Sequence, residues 1–178
     1  SPAFGIFDKS EGLCACKNKN CFNPGKHHYF QENKSLFSNN IKILRKWFET
    51  NNLNVIVPTG TINNILVIDV DVRENGMQNF AELRNSTPEI SNTLTVQTGS
   101  GGLHLYYKTY EKFQSGKNML MEGVDICAEN QYVIGPGSIH KTNNQYKIIN
   151  KTKIKILPKF LSDLIKKQNS IRKIKLAG

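Results

Sequence analysis

The chain has no apolar run near the roughly 18 to 20 residues that a bilayer-crossing helix needs, so no transmembrane segment and no membrane partner are expected. Its first residues show no basic stretch leading into an apolar segment and a small-residue cleavage site, which predicts a cytoplasmic location. Internal repeats are missing too. Acidic residues are scarce: 14 Asp and Glu stand against 24 Lys and Arg, a net charge of +10. Such an excess attracts polyanions at long range, nucleic acid foremost. A coding sequence rich in A and T, which enriches Lys, Asn and Ile together, produces the same charge without any partner. What the chain does have is 178 residues, 38% hydrophobic and 21% charged, enough for one sizeable core and unlike a disordered segment.

Helical spacing of Ile41, Leu44, Trp47 and Phe48 behind a Ser/Asn cap predicts a helix in "SNNIKILRKWFETNN". "LNVIVPTG" reads as a strand and turn, "ILVIDVDV" (residues 65–72) as a strand, and "GMQNFAELRNS" as a helix with Met77, Phe80, Ala81 and Leu83 on its apolar face. Five β segments follow, "TLTVQT", "LHLYYK", "GVDIC", "QYVIG" and "QYKII", separated by Gly- or Asn-rich turns. Pro158 opens a closing helix with Phe160, Leu161, Leu164 and Ile165 inward. A short strand is expected in "AFGIF" (residues 3–7), and residues 169–178 carry no strong pattern, as in a basic tail or linker. The mixed order predicts an α+β fold.

"ILVIDVDV" places two carboxylates in a strongly apolar stretch, where burial of an unpaired charge costs several kcal/mol. Residues two apart in a strand share a face, so Asp69 and Asp71 project together while Leu66, Ile68, Val70 and Val72 face a core. Paired carboxylates suit hard divalent cations, and a pair of such cations orients phosphate oxygens for in-line displacement. An isolated D-x-D is also common on solvent-facing strand ends. Two further segments bear on that choice. "TGSGGLHLYYK" joins a Gly-rich turn, whose N–H groups suit phosphate oxygens, to a strand on which His104 and Tyr106 share a face. "GVDIC" adds Asp125, and "PGSIH" supplies Ser138 and His140 in a polar turn suited to phosphate.

Three of the four cysteines fall within residues 14 to 21. In a cytosolic protein, clustered thiols point to metal before disulfide. "CACKNKNCFNPGKHHYF" supplies Cys14, Cys16, Cys21 and His27, with His28 the alternate fourth ligand, the donor set of a structural zinc site. A zinc staple over residues 9–35 would aim Lys26 at phosphate; three reduced surface cysteines without metal are the plain alternative. Cys127 reads as a buried, inert thiol.

The order of "VIDVD", "SGGLHLYY", "GVDIC" and "GPGS" resembles the bifunctional DNA primase–polymerase (prim-pol) domain of the archaeo-eukaryotic primase superfamily. "VPTG", "TLTVQTGSGG" and "LPKFLSDLI" extend the resemblance over most of residues 3 to 168. It implies an RRM-like mixed sheet with flanking helices, a catalytic domain over residues 1–168, and a zinc-binding loop near the N-terminus, where relatives often carry "PGKHP" and so favour His27. By resemblance, Asp69, Asp71 and Asp125 hold two Mg²⁺ or Mn²⁺ ions. His104, Ser100, Gly101, Ser138 and Lys26 then lie on the nucleotide side. Many relatives have Arg after the hydrophobic-Asp pair; Cys127 stands there in this chain, leaving Lys26 or Lys108 to supply the cation.

The implied activity is template-dependent nucleotidyl transfer on single-stranded DNA template and primer with nucleoside triphosphates. The implied setting is the catalytic part of a plasmid, phage or mobile-element replication protein with a helicase domain or subunit as partner. A metal-dependent nuclease would use the same acids without needing His104 and Ser138. A catalytically inactive, zinc-stapled nucleic-acid-binding module would need none of them. HUH-type nuclease chemistry requires a second His two residues after His104, and Tyr106 occupies that position.

Overall fold

The computed structural model describes residues 2–3, 6–8, 13–28, 37–49 and 53–177. The chain opens with β1 (Pro2–Ala3), β2 (Ile6–Asp8), β3 (Leu13–Cys14), α1 (Ile41–Phe48), β4 (Asn54–Pro58) and β5 (Ile65–Val70). After α2 (Gly76–Ser86) and a 3-10 turn (Pro88–Ser91) come β6 (Thr95–Gln97), β7 (Leu103–Lys108), β8 (Gly116–Met121) and β9 (Val124–Cys127). The last elements are β10 (Tyr132–Ile134), β11 (Lys147–Asn150), β12 (Lys155–Ile156) and α3 (Lys159–Ala177). The fold is mixed α+β.

Two compact units divide the chain. The first comprises Ser1–Pro58, Thr98–Ser100 and Val133–Lys147. Its sheet runs β1-β4-β10, and β2 pairs with β3. Buried Asn54 is its internal tie: the side-chain amide donates to the carbonyls of Gly25 and Ile139, each at 2.8 Å, and its Oδ1 accepts from the Ile139 N–H at 2.9 Å. One amide thus fixes the cysteine loop and the 138–140 turn to β4, with its buried polar atoms satisfied. α1 starts where the sequence predicts, with the Asn40 side chain accepting from the Lys42 N–H at 2.9 Å. None of its residues is buried, however, and Ile41 is exposed. Of the strand expected in residues 3–7, Phe4 and Gly5 lie outside the described residues, as do residues 9–12 and 29–35 of the expected zinc loop.

The second unit comprises Thr59–Gln97, Gly101–Tyr132 and Ile148–Gly178. Its sheet has the order β11-β6-β7-β5-β9-β8, with β12 joining β7 in parallel and the other described pairings antiparallel. β5 lies between β7 and β9, and Leu66, Ile68 and Val70 face the core with Leu105, Tyr107, Val124 and Ile126. Phe80 of α2 and Leu161 and Ile165 of α3 pack into the same core, so both helices cover that face. Each such side chain contributes about 1.5–3 kcal/mol on burial. A one-residue slip of β5 would turn Asp69 into this core and Leu66, Ile68 and Val70 out of it, so apolar burial sets the register.

Several expectations need adjusting. Val72 is exposed because β5 ends at Val70, and Met77 and Phe160, expected inward, lie at the solvent side of their helices. β8, with the polar start "GKN", and two-residue β12 gave no recognisable strand pattern. α3 continues to Ala177 through the patternless residues 169–177, and Arg172 donates from its guanidinium to the Lys117 carbonyl.

Candidate active site and metal centre

On the sheet face opposite the core, β5 contributes Val67 and Asp69, β7 contributes His104 and Tyr106, and β9 contributes Asp125 and Cys127. The registers place Asp69 directly across from His104 on one side and from Asp125 on the other. Residues from three strands far apart in sequence therefore form a single row. His104 is buried, with Nε2 3.5 Å from Asp69 Oδ1, and its ring meets Tyr106 edge-on at 6.3 Å between centroids. Tyr106 is itself only 3% exposed, so its ring supports His104 and is no platform for a base.

Asp71 is the first residue beyond β5, and its N–H donates to the Gly123 carbonyl at 2.9 Å. Its carboxylate accepts from the Arg73 N–H at 3.0 Å and from Arg73 Nε at 3.1 Å. Gly123 and Gly76 make this corner possible. A Cβ on Gly76 would lie 2.2 Å from the Asp71 carbonyl oxygen and 2.4 Å from that of Gly123. Gly123 itself sits at φ +70°, the left-handed region that glycine enters without penalty. The backbones of the β8–β9 turn and the start of α2 thus meet directly, and Asn79 closes the contact by donating to the Glu122 carbonyl at 2.8 Å.

Asp125 is oriented by Asn118, whose N–H donates to Oδ1 at 2.7 Å. Asn118 adopts φ +52°, and its side-chain oxygen accepts from the Gly123 N–H at 2.8 Å. Burial raises the Asp125 pKa, and the charges of Asp69 and Asp71 add to the rise against the Asn118 N–H and the Lys117 charge. The thiol of Cys127 is raised as well, by burial and then by Asp69 and Asp125. This face gathers three carboxylates, of which Asp71 is paired with Arg73. Asn118, Asn79 and the Gly76–Gly123 contact have no sequence spacing that links them to the acids, whereas Arg73 stands two residues after Asp71.

Gly101, also in this unit, has φ +98°, and a Cβ added there would make ordinary contact with the Val72 side chain at 3.5 Å. The remaining nucleotide-side candidates belong to the first unit. Ser100 is exposed and exchanges a hydrogen bond with Thr98 at 3.0 Å. Ser138 is buried, its Oγ accepting from the Val55 N–H at 2.9 Å, and Lys26 is exposed. His140 is buried near Gly99, with Nδ1 2.9 Å from Thr142 Oγ1, and burial, with the charges of Lys26 and Lys141, lowers its pKa to about 4.

The cysteine loop closes on itself through successive turns, Lys17 N–H to the Cys14 carbonyl, Cys21 N–H to Asn18 and Lys26 N–H to Asn23. Cys14, Cys16, Cys21 and His27 bring their ligand atoms within 4.8 Å of one another, the one such set of three or more metal-ligating side chains among the described residues. His27 Nε2 is 3.3 Å from Cys14 Sγ and 3.4 Å from Cys21 Sγ. A tetrahedral ion with Zn–S near 2.3 Å and Zn–N near 2.0 Å separates sulfur from nitrogen by about 3.5 Å, so the spacing fits. The Gly25 N–H donates to Cys14 Sγ at 3.4 Å, and burial and the neighbouring sulfurs push the Cys21 thiol up to about 11. His28, the alternate ligand, instead meets Phe37 edge-on at 6.0 Å.

The family model described as bifunctional DNA primase/polymerase, N-terminal, matches residues 20–160, which is 141 of the 178. No curated protein matches the chain. No described helix is long and apolar enough to cross a membrane.

Proposed function

The chain belongs to the bifunctional DNA primase/polymerase family, an enzyme family acting on DNA and nucleotides, and on that premise we propose that Asp69, Asp71 and Asp125 carry its phosphoryl transfer. The observation that carries this reading is the row in which Asp69 stands between His104 and Asp125. Three carboxylates offer the hard oxygen donors that Mg²⁺ and Mn²⁺ prefer, and Asp125, whose pKa is raised by burial first and by Asp69 and Asp71 after it, is a carboxylate whose charge a cation would offset. If Asp69, Asp71 and Asp125 held two divalent ions, these would make the primer 3′-hydroxyl more acidic and neutralise the pyrophosphate leaving group.

The chain's own residues position the reactants. Asn118 fixes the Asp125 carboxylate, and the Gly76–Gly123 contact fixes the backbone that carries Asp71. His104 donates from its imidazole to an oxygen of the incoming triphosphate. The exposed Arg73 guanidinium supplies, beside the acids, the cation that Cys127 does not. The primer 3′-hydroxyl loses its proton to solvent as its oxygen attacks the α-phosphorus, the bond to the α–β bridging oxygen breaks, and pyrophosphate departs. The enzyme's part is alignment and charge neutralisation.

The same premise supports further assignments. The α+β sheet is read as the RRM-like core of the archaeo-eukaryotic primases, and residues 1–168 as the catalytic domain. Ser100, Gly101, Ser138 and Lys26 are assigned to the nucleotide on the family pattern alone. Cys14, Cys16, Cys21 and His27 are assigned to structural zinc, their donor types and spacing being the support. A plasmid, phage or mobile-element replication protein with a helicase partner is the setting the family pattern suggests.

The test is incubation with Mg²⁺ or Mn²⁺, single-stranded template and labelled nucleotides, with and without primer. Nucleotide incorporation that disappears in Asp69→Ala is the expected result. Strand scission without synthesis would replace this reading with a nuclease, and binding without turnover would replace it with an inactive binding module.

A further inference from the structure

The positive charge of this chain is unevenly spread. From Asn130 to Ser162 there is no Asp or Glu, and the stretch holds six Lys, so +6 of the net +10 lies in 33 residues. Base composition alone enriches lysine everywhere; it does not clear one segment of acids. Within the second unit the structure gathers part of this charge on one border of the sheet. β6 and β12 both pair with the side of β7 that β5 leaves open, β6 at residues 103–105 and β12 at residues 107–108, and β11 borders β6. β11, β12 and the segment between them therefore form a continuous edge.

Polar side chains tie that edge down from within. Asn150 donates to the Ser91 carbonyl at 3.1 Å and accepts from the N–H of Thr152 at 3.0 Å, and Thr93 Oγ1 accepts from the Lys155 N–H at 3.1 Å. The alternating Lys151, Lys153 and Lys155 are left exposed. Exposed Lys108 lies opposite Ile156, on the alternate face of the edge from Lys155, which pairs with Tyr107, and the Leu157 N–H donates to its carbonyl at 2.8 Å. Two residues on, Tyr110 is 73% exposed, and Ile156 is 68% exposed. Glu111, the acid nearest in sequence, is engaged by Lys166 and by the Ser162 hydroxyl, so its charge is offset.

A row of lysines on a fixed backbone with an exposed aromatic and apolar side chain beside it is the combination that holds single-stranded nucleic acid, with cations on phosphates and a ring under a base. We propose that the edge formed by Lys151, Lys153, Lys155, Lys108, Ile156 and Tyr110 is a track for single-stranded nucleic acid. β12 and β5 are two strand spacings apart, about 10 Å, and β12 pairs with residues 107–108 while Asp69 stands opposite His104, so the track lies on the same sheet at the other end of β7 from the acid row. The inference rests on the proposed polymerase reading for its purpose, while the binding itself is testable without catalysis.

The experiment is fluorescence anisotropy of a labelled single-stranded oligonucleotide with the full chain, without divalent metal or nucleotide, over a series of KCl concentrations. The triple variant Lys151→Gln, Lys153→Gln, Lys155→Gln is expected to flatten the plot of log affinity against log salt by about 2, each phosphate that is no longer neutralised accounting for about 0.7. Tyr110→Ala is expected to weaken binding about tenfold with the slope unchanged, as removal of one stacked base would. An unchanged slope in the triple variant, with the thermal midpoint preserved, overturns the track. If wild type incorporates nothing while the slope still flattens in the triple variant, the polymerase reading fails and the track stands.

Discussion

Asp69 stands directly opposite Asp125 in the antiparallel pairing of β5 with β9. Like charges in that relationship repel, and burial compounds the cost at Asp125. The Asp125 pKa is raised above its unfolded value, so between those two values the folded state binds more protons. Stability accordingly falls as pH rises through that window, and the full penalty is present above the folded-state value. Asp125→Asn keeps an oxygen for the Asn118 N–H and removes the charge. Without divalent metal at neutral pH it should raise the thermal midpoint above wild type while abolishing nucleotide incorporation, measured by calorimetry and primer extension on the same samples.

The Gly76–Gly123 contact leaves no room for a methyl group. Gly76→Ala should cost about 2 kcal/mol or more, because backbone must move on both sides and no flexible side chain can yield. The expected reading is a lower urea midpoint with unchanged m-value, together with a loss of incorporation larger than the loss of folded protein, since Asp71 moves with its carbonyl.

Thiolate and imidazole donors within 4.8 Å predict one zinc per chain in protein purified without chelator, counted by atomic absorption. His27→Ala should lose the metal and lower the thermal midpoint; His28→Ala should retain it, because His28 lies against Phe37. Equal zinc content in the two variants would contradict this assignment.

Buried His140 has its pKa lowered to about 4, so below the unfolded value near 6.5 the unfolded chain takes up a proton that the folded chain refuses. Its contribution is fully present above pH 6.5 and is lost as pH falls toward 4. Urea midpoints at pH 7.5 and 5 should differ less in His140→Gln than in wild type.

The elements that could be read from the sequence are those whose patterns are local. β5 and α2 are continuous periodic segments, and the cysteine loop carries its donors within a few residues, so spacing sufficed. Asp69, His104 and Asp125 were recognisable as motifs, but their common row depends on strand order and register, which no local pattern encodes. β8 escaped notice because its first half is polar and Asn118 breaks its regularity at positive φ. The hold of Asn118 on Asp125 and the glycine contact are tertiary facts, made by chain segments with no shared sequence signature. Val72 departs from the alternation for a simpler reason: its strand ends two residues earlier.

Manganese binding followed by electron paramagnetic resonance is the most direct measurement of whether this row of acids is a cation site. Wild-type protein should take up Mn²⁺, and Asp69→Asn and Asp125→Asn should each weaken that uptake at least tenfold. Unaltered Mn²⁺ affinity in both variants would contradict the account.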